Sequence, residues 1–393
     1  MRIRFQKSDL APAVALAQGI SNEQSTIPIL SNILLTTDFD NRVILLATDY
    51  ETRVQIDIPA IVEQRGTTTI PAKIFHETLS NLPDDCEIVL DADRQATLTC
   101  REIKLTLATM PAADFPKLTA VAPEFELEVA ESDLRRLFDQ VSVAIPAKDP
   151  RKMLLGALLE VGSGYLRGIA TDGKLLANAR IPMAADLITE PTIKNIIVPH
   201  KVVERLIYSL VSSGNVRIGW DAKMVSFSYR NIVLSTQQID GKYPDWRRVV
   251  PNSFRRELRF RRADLLAAIR RASIVCDMSA QSVTLDFQNA TILIEAENYD
   301  RGQFREQIPA TVDESFRISF NYKFLILALK AIEQDNVVMQ ANQPETQVIF
   351  SGEDEENLSY LVMPIKITPQ SRPPEPASSP DDYDDEQEGD ENE

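Results

Sequence analysis

One pattern occurs three times along the chain, and this repetition restricts the possible fold more than any other feature. Three helix entries match: Ser8-Asp9-Leu10, Ser132-Asp133-Leu134 and Ala263-Asp264-Leu265. Three strand ends follow them, at Ala47-Thr48-Asp49, Ala170-Thr171-Asp172 and Ala296-Glu297-Asn298. Second helices are then entered through Pro71-Ala72-Lys73, Pro199-His200-Lys201 and Asn321-Tyr322-Lys323. Equivalent points lie about 122–131 residues apart, the size of a small domain and far longer than a solenoid repeat. The expected organisation is three like domains, 1–120, 121–249 and 250–367, with a disordered acidic tail over 368–393. Three copies of one unit in a row suggest a shape-making protein before an enzyme.

Each repeat opens on a helical spacing of apolar residues. Leu10, Val14 and Ala17 in the first are copied by Leu134, Phe138 and Val141, and by Leu265, Ile269 and Ala272. Ser8 is the expected N-cap of the first helix, with Pro12 tolerated in its first turn, and Asp264 the expected cap of the third. Strand-like segments follow at 33–36, 42–47 and 53–58, with counterparts at 166–170 and 175–181, and at 291–296 and 302–308. Second helices are expected over 74–82, 202–211 and 324–332, each leading into a strand meander. The class is α+β, with antiparallel sheets carrying two helices per repeat on one face. The linkers, 118–123 and 249–254, are short, so the repeats should abut rigidly.

Composition excludes several classes. No apolar run approaches the roughly 20 residues of a spanning helix, and residues 1–7 alternate like a strand instead of a signal peptide, which points to the cytoplasm. Cys86, Cys100 and Cys276 are odd in number and lack C-x-x-C spacing, so reduced, buried thiols are expected. The net charge of −16 argues against a conventional basic DNA-binding domain. Its distribution argues otherwise. Residues 375–393 alone hold ten acids and no base, a composition that cannot bury enough apolar surface to fold. The six expected helices carry eleven bases against eight acids, so they form a relatively basic surface on an acidic body. Such residues are either solvated helix faces or the lining of a surface that meets a polyanion; only the threefold repetition favours the second reading.

Catalysis has no visible apparatus. His76 and His200 are the only histidines, no Ser or Cys has a suitably spaced partner, and no Gly-rich loop joins a strand to a helix. Glu353-Asp354-Glu355-Glu356 could be read as a metal cluster, but consecutive loop residues point apart and a solvated turn is the simpler reading. No cofactor and no metal are expected. A metal-dependent nuclease or hydrolase of three domains and an acidic histone-like chaperone remain as competing classes.

Several longer segments resemble the bacterial DNA polymerase III beta subunit family, the replicative sliding clamps. They are Ile27-Pro28-Ile29-Leu30-Ser31-Asn32, the run from Leu107 through Met110-Pro111-Ala112-Ala113-Asp114-Phe115-Pro116, Ala170-Thr171-Asp172-Gly173, the run Asp240-Gly241-Lys242-Tyr243-Pro244-Asp245-Trp246-Arg247-Arg248-Val249, and Tyr360-Leu361-Val362-Met363-Pro364-Ile365. The resemblance covers residues 1 to about 367 in order. It implies two chains joined head to tail in a ring of six domains, helices inside and sheets outside, around duplex DNA held without sequence readout. The DNA-facing residues it and the basic helices suggest are Lys7, Lys73, Arg135, Arg136, Lys201, Arg205, Arg270, Arg271, Lys323 and Lys330, with Lys148, Arg151 and Lys152 in a loop. Gln24 stands where relatives can carry Arg. The implied seam of the dimer carries Leu105 and Leu107 on one side and Ile274 and Val275 on the other.

The resemblance also implies a groove between the second and third repeats for short linear motifs of a clamp loader, the replicative polymerase and repair proteins. Its residues would be Leu154, Thr171, Gly173, Lys174, Leu176, Pro244, Arg248, Val249, Leu361, Val362, Met363, Pro364 and Ile365. Lys174 and Leu175 replace the His and Arg of some relatives, which would alter motif preference.

Overall fold

The computed structural model describes all residues except 23, 39–40, 94, 118–121, 184–193, 212, 277–280, 313 and 367–393. The expected disordered tail therefore lies outside the described residues.

The first repeat runs β1 (Arg2–Gln6), α1 (Lys7–Gln18), β2 (Asn32–Thr37), β3 (Arg42–Thr48), β4 (Thr52–Pro59), β5 (Ile61–Gln64), β6 (Thr67–Pro71), α2 (Ala72–Asn81), β7 (Glu87–Ala92), β8 (Gln95–Cys100) and β9 (Ile103–Ala108). The second follows with β10 (Phe125–Ala130), α3 (Glu131–Ser142), β11 (Gly156–Gly162), β12 (Tyr165–Thr171), β13 (Leu175–Pro182), β14 (Lys194–Pro199), α4 (His200–Ser209), β15 (Asn215–Trp220), β16 (Met224–Tyr229) and β17 (Ile232–Gln237). The third contains β18 (Arg256–Arg261), α5 (Arg262–Ala272), β19 (Ser282–Gln288), β20 (Thr291–Asn298), β21 (Gly302–Thr311), β22 (Phe316–Asn321), α6 (Tyr322–Ala331), β23 (Asn336–Ala341), β24 (Val348–Gly352) and β25 (Leu358–Val362).

Strand alternation follows the sequence closely. In β4, Val54, Ile56 and Ile58 are buried while Arg53, Gln55 and Asp57 between them are partly open, as a sheet with one packed face requires. Helix α3 buries Leu134, Leu137, Phe138 and Val141 and leaves Arg135 and Arg136 outside. A fully buried Phe or Leu contributes about 1.5–3 kcal/mol, so each helix is held by its apolar stripe and not by local propensity.

The helix starts differ from the expectation. Each helix follows a strand without a break, α1 begins at Lys7 and α5 at Arg262, and neither Ser8 nor Asp264 caps. The first N–H is satisfied at long range instead: Lys7 N donates to Cys86 O, Glu131 N to Gly214 O and Arg262 N to Asp335 O. The carbonyl in front of the meander is thus the cap in all three copies. Among the described helices α1–α6, α6 alone takes a side-chain cap, with Asn321 accepting from Lys323 N. Pro12 consequently stands inside α1, beyond the first turn.

The thiol expectation also changes. Cys86, just before β7, and Cys100, at the end of the adjacent β8, are joined as a disulfide with Cα atoms 6.1 Å apart; strand pairing brings residues fourteen apart within bridging range. Cys276 lies outside this pair and is buried.

Pairing between repeats follows one rule. Sheet β6-β2-β3-β4 of the first repeat joins β17-β16-β15-β10 of the second through β4 and β17, giving eight strands. Sheet β14-β11-β12-β13 of the second joins β25-β24-β23-β18 of the third through β13 and β25. The same two edges remain open at the chain's extremities. Strand β9 borders the five-stranded sheet β5-β1-β7-β8-β9, and β21 pairs with β18 only at Ala310 and Thr311, leaving residues 302–309 with one unpaired side. The helical layer also crosses both junctions. Lys201 of α4 reaches Ile20 O beyond α1 at 2.9 Å, and Tyr360 OH of β25 donates to Gln140 O of α3 at 2.8 Å.

Candidate functional sites: a groove, two open edges and a row of cations

Between the second and third repeats lies an apolar cluster separate from the main core. Leu154, Leu158, Ile169, Leu176, Ile197, Tyr243, Trp246, Ile349 and Leu361 form it, with Met153, Ile239, Val250 and Phe254 packed on its rim. Four links draw the expected groove residues around it. Pairing of β13 with β25 sets Leu176 opposite Leu361 and Leu175 opposite Val362. Met363 N donates to Lys174 O at 2.8 Å, fastening the end of β25 to the β12–β13 turn. Gln347 Nε2 donates to Val249 O at 2.9 Å, and its neighbour Val348 pairs with Val362, so Val249 comes to the same corner. Arg151 Nη2 donates to Asp172 O at 3.2 Å, bringing the 148–152 loop to that turn.

The groove has a buried floor and an open rim. Leu154, Thr171, Leu176, Leu361 and Val362 are buried, while Gly173, Lys174, Pro244 and Arg248 are exposed and Pro364 and Ile365 half-buried. Val249 and Met363, exposed by 42% and 37%, are large apolar residues left uncovered at one site. Gly173 turns the chain at φ +90°, where an added Cβ would meet the Arg151 guanidinium at 3.4 Å. The Arg248 guanidinium is oriented by Asp245 at 3.0 Å and remains in solvent.

Beneath residues 239–248 a cavity of about 1350 Å³ opens, bordered by Leu158, Ile197, Met224, Tyr243 and Trp246 and sharing Pro244 and Arg248 with the groove. Its wall is fixed by a buried carboxylate. Glu160 accepts from Arg247 at 2.6 Å and from Tyr165 OH at 2.9 Å, while Arg167 stacks over Trp246 at 4.9 Å and Tyr165 at 5.0 Å. Burial pushes the Tyr243 phenol well above its ordinary range, so it stays neutral. Sequence reasoning missed Tyr243, Trp246 and Glu160 as the supports of the groove. The motif around Trp246 was visible, but nothing in it reveals which ring forms the floor.

The cations divide into two sets. Lys73, Arg135, Arg136, Lys148, Arg151, Lys152, Arg270, Arg271, Lys323 and Lys330 are exposed. Within this set Arg135 donates to Ile207 O, Arg271 is tied to Glu306, and Arg151 forms a two-point pair with Asp149 at 2.9 Å. The Arg151 guanidinium holds the Asp149 carboxyl down at about 2. Three expected DNA-facing residues turn inward instead. Lys7 is buried, donating to Asp84 at 2.9 Å and to Leu82 O, because α1 starts at that residue beside the α2–β7 connection. Lys201 donates to Asp49 at 2.7 Å as well as to Ile20 O, and half-buried Arg205 lies across Gly19; both fasten α4 to the first repeat.

At the open edges, apolar residues stand uncovered. On β9, Ile103 is 44% exposed, Leu105 half-buried and Leu107 buried; after α5, Ile274 is 70% exposed and Val275 half-buried. Arg301 Nη1 donates to Ile274 O at 3.4 Å, which places the Ile274 turn beside the start of β21.

Three consecutive family models match this chain: the DNA polymerase III beta subunit N-terminal domain over residues 1–119, the central domain over 128–245 and the C-terminal domain over 247–366. The chain belongs to the DNA polymerase III beta subunit family. Among relatives, the beta sliding clamp of Synechococcus elongatus is 28% identical over 375 residues, covering 93% of this chain and 100% of the relative. That of Vibrio cholerae is 27% identical with the same coverage. The crystal structure of DNA polymerase III subunit beta from Pseudomonas aeruginosa superimposes with a TM-score of 0.87 at 26% identity, covering 93% of this chain and 100% of that one. Another structure of the Pseudomonas sliding clamp, bound to griselimycin, gives the same TM-score.

The acidic loop at 353–356 has its explanation in contacts within the third repeat. Glu353 pairs with Arg259 and accepts from Asn336, and Glu355 accepts from Gln334, so these carboxylates serve the fold. Among the described residues no group of three or more His, Cys, Asp or Glu is placed to hold a metal ion, and no helix is long and apolar enough to cross a membrane.

Proposed function

We propose that this chain is a DNA sliding clamp: two copies close head to tail into a ring around duplex DNA. The ring holds the replicative polymerase and other replication and repair proteins on DNA through short peptides bound in the groove. It is a processivity factor and performs no chemistry of its own; a nuclease has no support in the described residues or among the relatives. A cytoplasmic location accords with work on chromosomal DNA.

The observation that carries this reading is the pairing rule at the two internal junctions. A three-repeat chain has unlike ends, and contact between unlike ends gives a filament unless rotation closes it. Six equivalent junctions close at about 60° each, and two chains supply six repeats. The third kind of junction, β21 of one chain with β9 of the next, would bury both open edges and remove their tendency to recruit stray strands.

The internal junctions also supply a register. Thr48 pairs with Arg53 and Glu297 with Gln303, which makes Arg53 and Gln303 equivalent. Ile103 and Ile232 both follow two-residue turns, which makes Thr106 equivalent to Ser235. Ser235 pairs with Arg53, so Thr106 belongs opposite Gln303, Leu105 opposite Phe304 and Leu107 opposite Gly302. Ile274 and Val275 then lie over the leucines. Lys104 would face Arg305, whose guanidinium is already bound to Glu295 at 2.8 Å, so the seam rests on apolar contact more than on opposite charges.

Enclosure explains how the protein can be retentive and mobile at once. Phosphate contacts through exposed Lys and Arg carry no sequence information and are interchangeable, so the ring moves freely while topology prevents escape. The groove suits short peptides: Val249 and Met363 offer adaptable apolar contacts, and Arg248 can hold a polar end. The test is retention on a nicked circular duplex after loading. Release on linearising the circle supports enclosure; equal retention on both forms rejects it.

A further inference from the structure

The sequence continues for 27 residues beyond Lys366, with ten carboxylates between Glu375 and Glu393. The C-terminal family model ends at 366, and 93% of this chain accounts for the whole of the Synechococcus relative. The last described residues fix where it departs. Met363 N is held on Lys174 O and Ile365 N on Ser319 O, so the chain leaves directly from the rim of the groove.

That rim is cationic. Lys174 stands on the β12–β13 turn, Lys148 and Lys152 flank the loop that Arg151 fastens to the same turn, and Lys366 is three residues past Met363. All four lysines are exposed, and among the described residues none is in an ion pair. Arg151 and Arg248, by contrast, are matched by Asp149 and Asp245. A chain of nine residues spans about 30 Å at full extension, so every carboxylate from Glu375 onward can return to this rim.

We propose that the acidic segment 375–393 docks on this lysine rim and acts as an intramolecular competitor for the groove, so that a partner peptide must displace it. The proposal rests on the peptide-groove reading given above. Tethering gives the segment an effective concentration of about a millimolar, so ionic binding with a dissociation constant near a tenth of that would weaken a peptide about 10-fold. The contacts are between exposed charges, and salt removes them as the Debye length falls from about 10 Å at 0.1 M to about 3 Å at 1 M.

The test compares the full chain with a chain ending at Lys366, using a labelled, net-neutral pentapeptide with an amide side chain at its first residue for Arg248 and apolar residues at its end for Val249 and Met363, and fluorescence anisotropy. Truncation removes only residues beyond the last strand and beyond the family match. The expected result is about 3- to 10-fold tighter binding to the truncated chain in low salt, with the difference vanishing near 1 M. Equal affinity at low salt overturns the competitor and leaves the groove reading standing; binding to neither chain overturns both. Zero-length carbodiimide coupling of the full chain supplies the location. Links from the segment to Lys148, Lys152 or Lys174 are expected, whereas links confined to Lys73, Lys323 and Lys330 would place it on the helices and overturn the proposal.

Discussion

Replacing Ile274 with Ala isolates the seam from the rest of the molecule. Ile274 is 70% exposed in the single chain, so the substitution removes few internal contacts and should leave the domain's melting temperature nearly unchanged. Three carbons at about 0.8 kcal/mol each, scaled to the share of the side chain left open, amount to about 1.7 kcal/mol per seam. Separating a two-chain ring breaks two seams, so the change doubles to about 3.4 kcal/mol, or about 300-fold in the dimer dissociation constant. Sedimentation equilibrium or mass photometry over a dilution series reads this directly. Ile61, 61% exposed on β5 at the far edge of the same sheet as β9, is the control, and Ile61→Ala should not move the midpoint. If both substitutions weaken the dimer equally, or neither does, the assignment of the seam is wrong.

Other expectations follow from the same geometry. Thr106→Cys combined with Gln303→Cys should give a covalent dimer on oxidation, read by non-reducing gel, while Thr106→Cys with Phe304→Cys should couple far less; the reverse ranking refutes the register taken from the internal junctions. Met363→Glu places a charge at the uncovered apolar corner of the groove and should weaken peptide binding at least about 10-fold by anisotropy, with dimerisation unchanged. Lys201→Met and Lys323→Gln should separate fastening from DNA contact. The first deprives Asp49 and Ile20 O of their partner and should cost about 1–3 kcal/mol by denaturant unfolding. The second should leave stability unchanged and, through its two copies in a ring, lower the salt slope of DNA binding by up to about 1.8.

The threefold architecture was legible because apolar spacing and the matched helix entries recur at every level, from Leu10, Leu134 and Leu265 to the strand ends at Thr48 and Thr171. What escaped the sequence was decided by distant partners. Ser8 reads as a helix cap, yet the carbonyl of Cys86 does that work from the other end of the domain. Lys7 looks like a surface cation and is buried, because its ammonium satisfies Leu82 O and Asp84. Lys201 shares the helical position of the exposed Lys73 and Lys323, and Arg205 follows one turn later, yet both meet the chain just beyond α1 of the neighbouring repeat, a contact no single-repeat pattern encodes. An odd cysteine count hid a pair that sheet register brings together. The rim of the groove and the floor residues Leu154, Thr171, Leu176, Leu361 and Val362 were named through family resemblance; the supports packed with them, Tyr243, Trp246, Leu158 and Ile197, needed coordinates, since aromatic rings in a loop have no period to read.

The mass of the protein in solution tests the central claim most directly. Native mass spectrometry at micromolar concentration should give a single species at twice the 44.1 kDa chain mass, with no larger members. A monomer at that concentration, or a ladder of open head-to-tail oligomers, would contradict a ring closed by two chains.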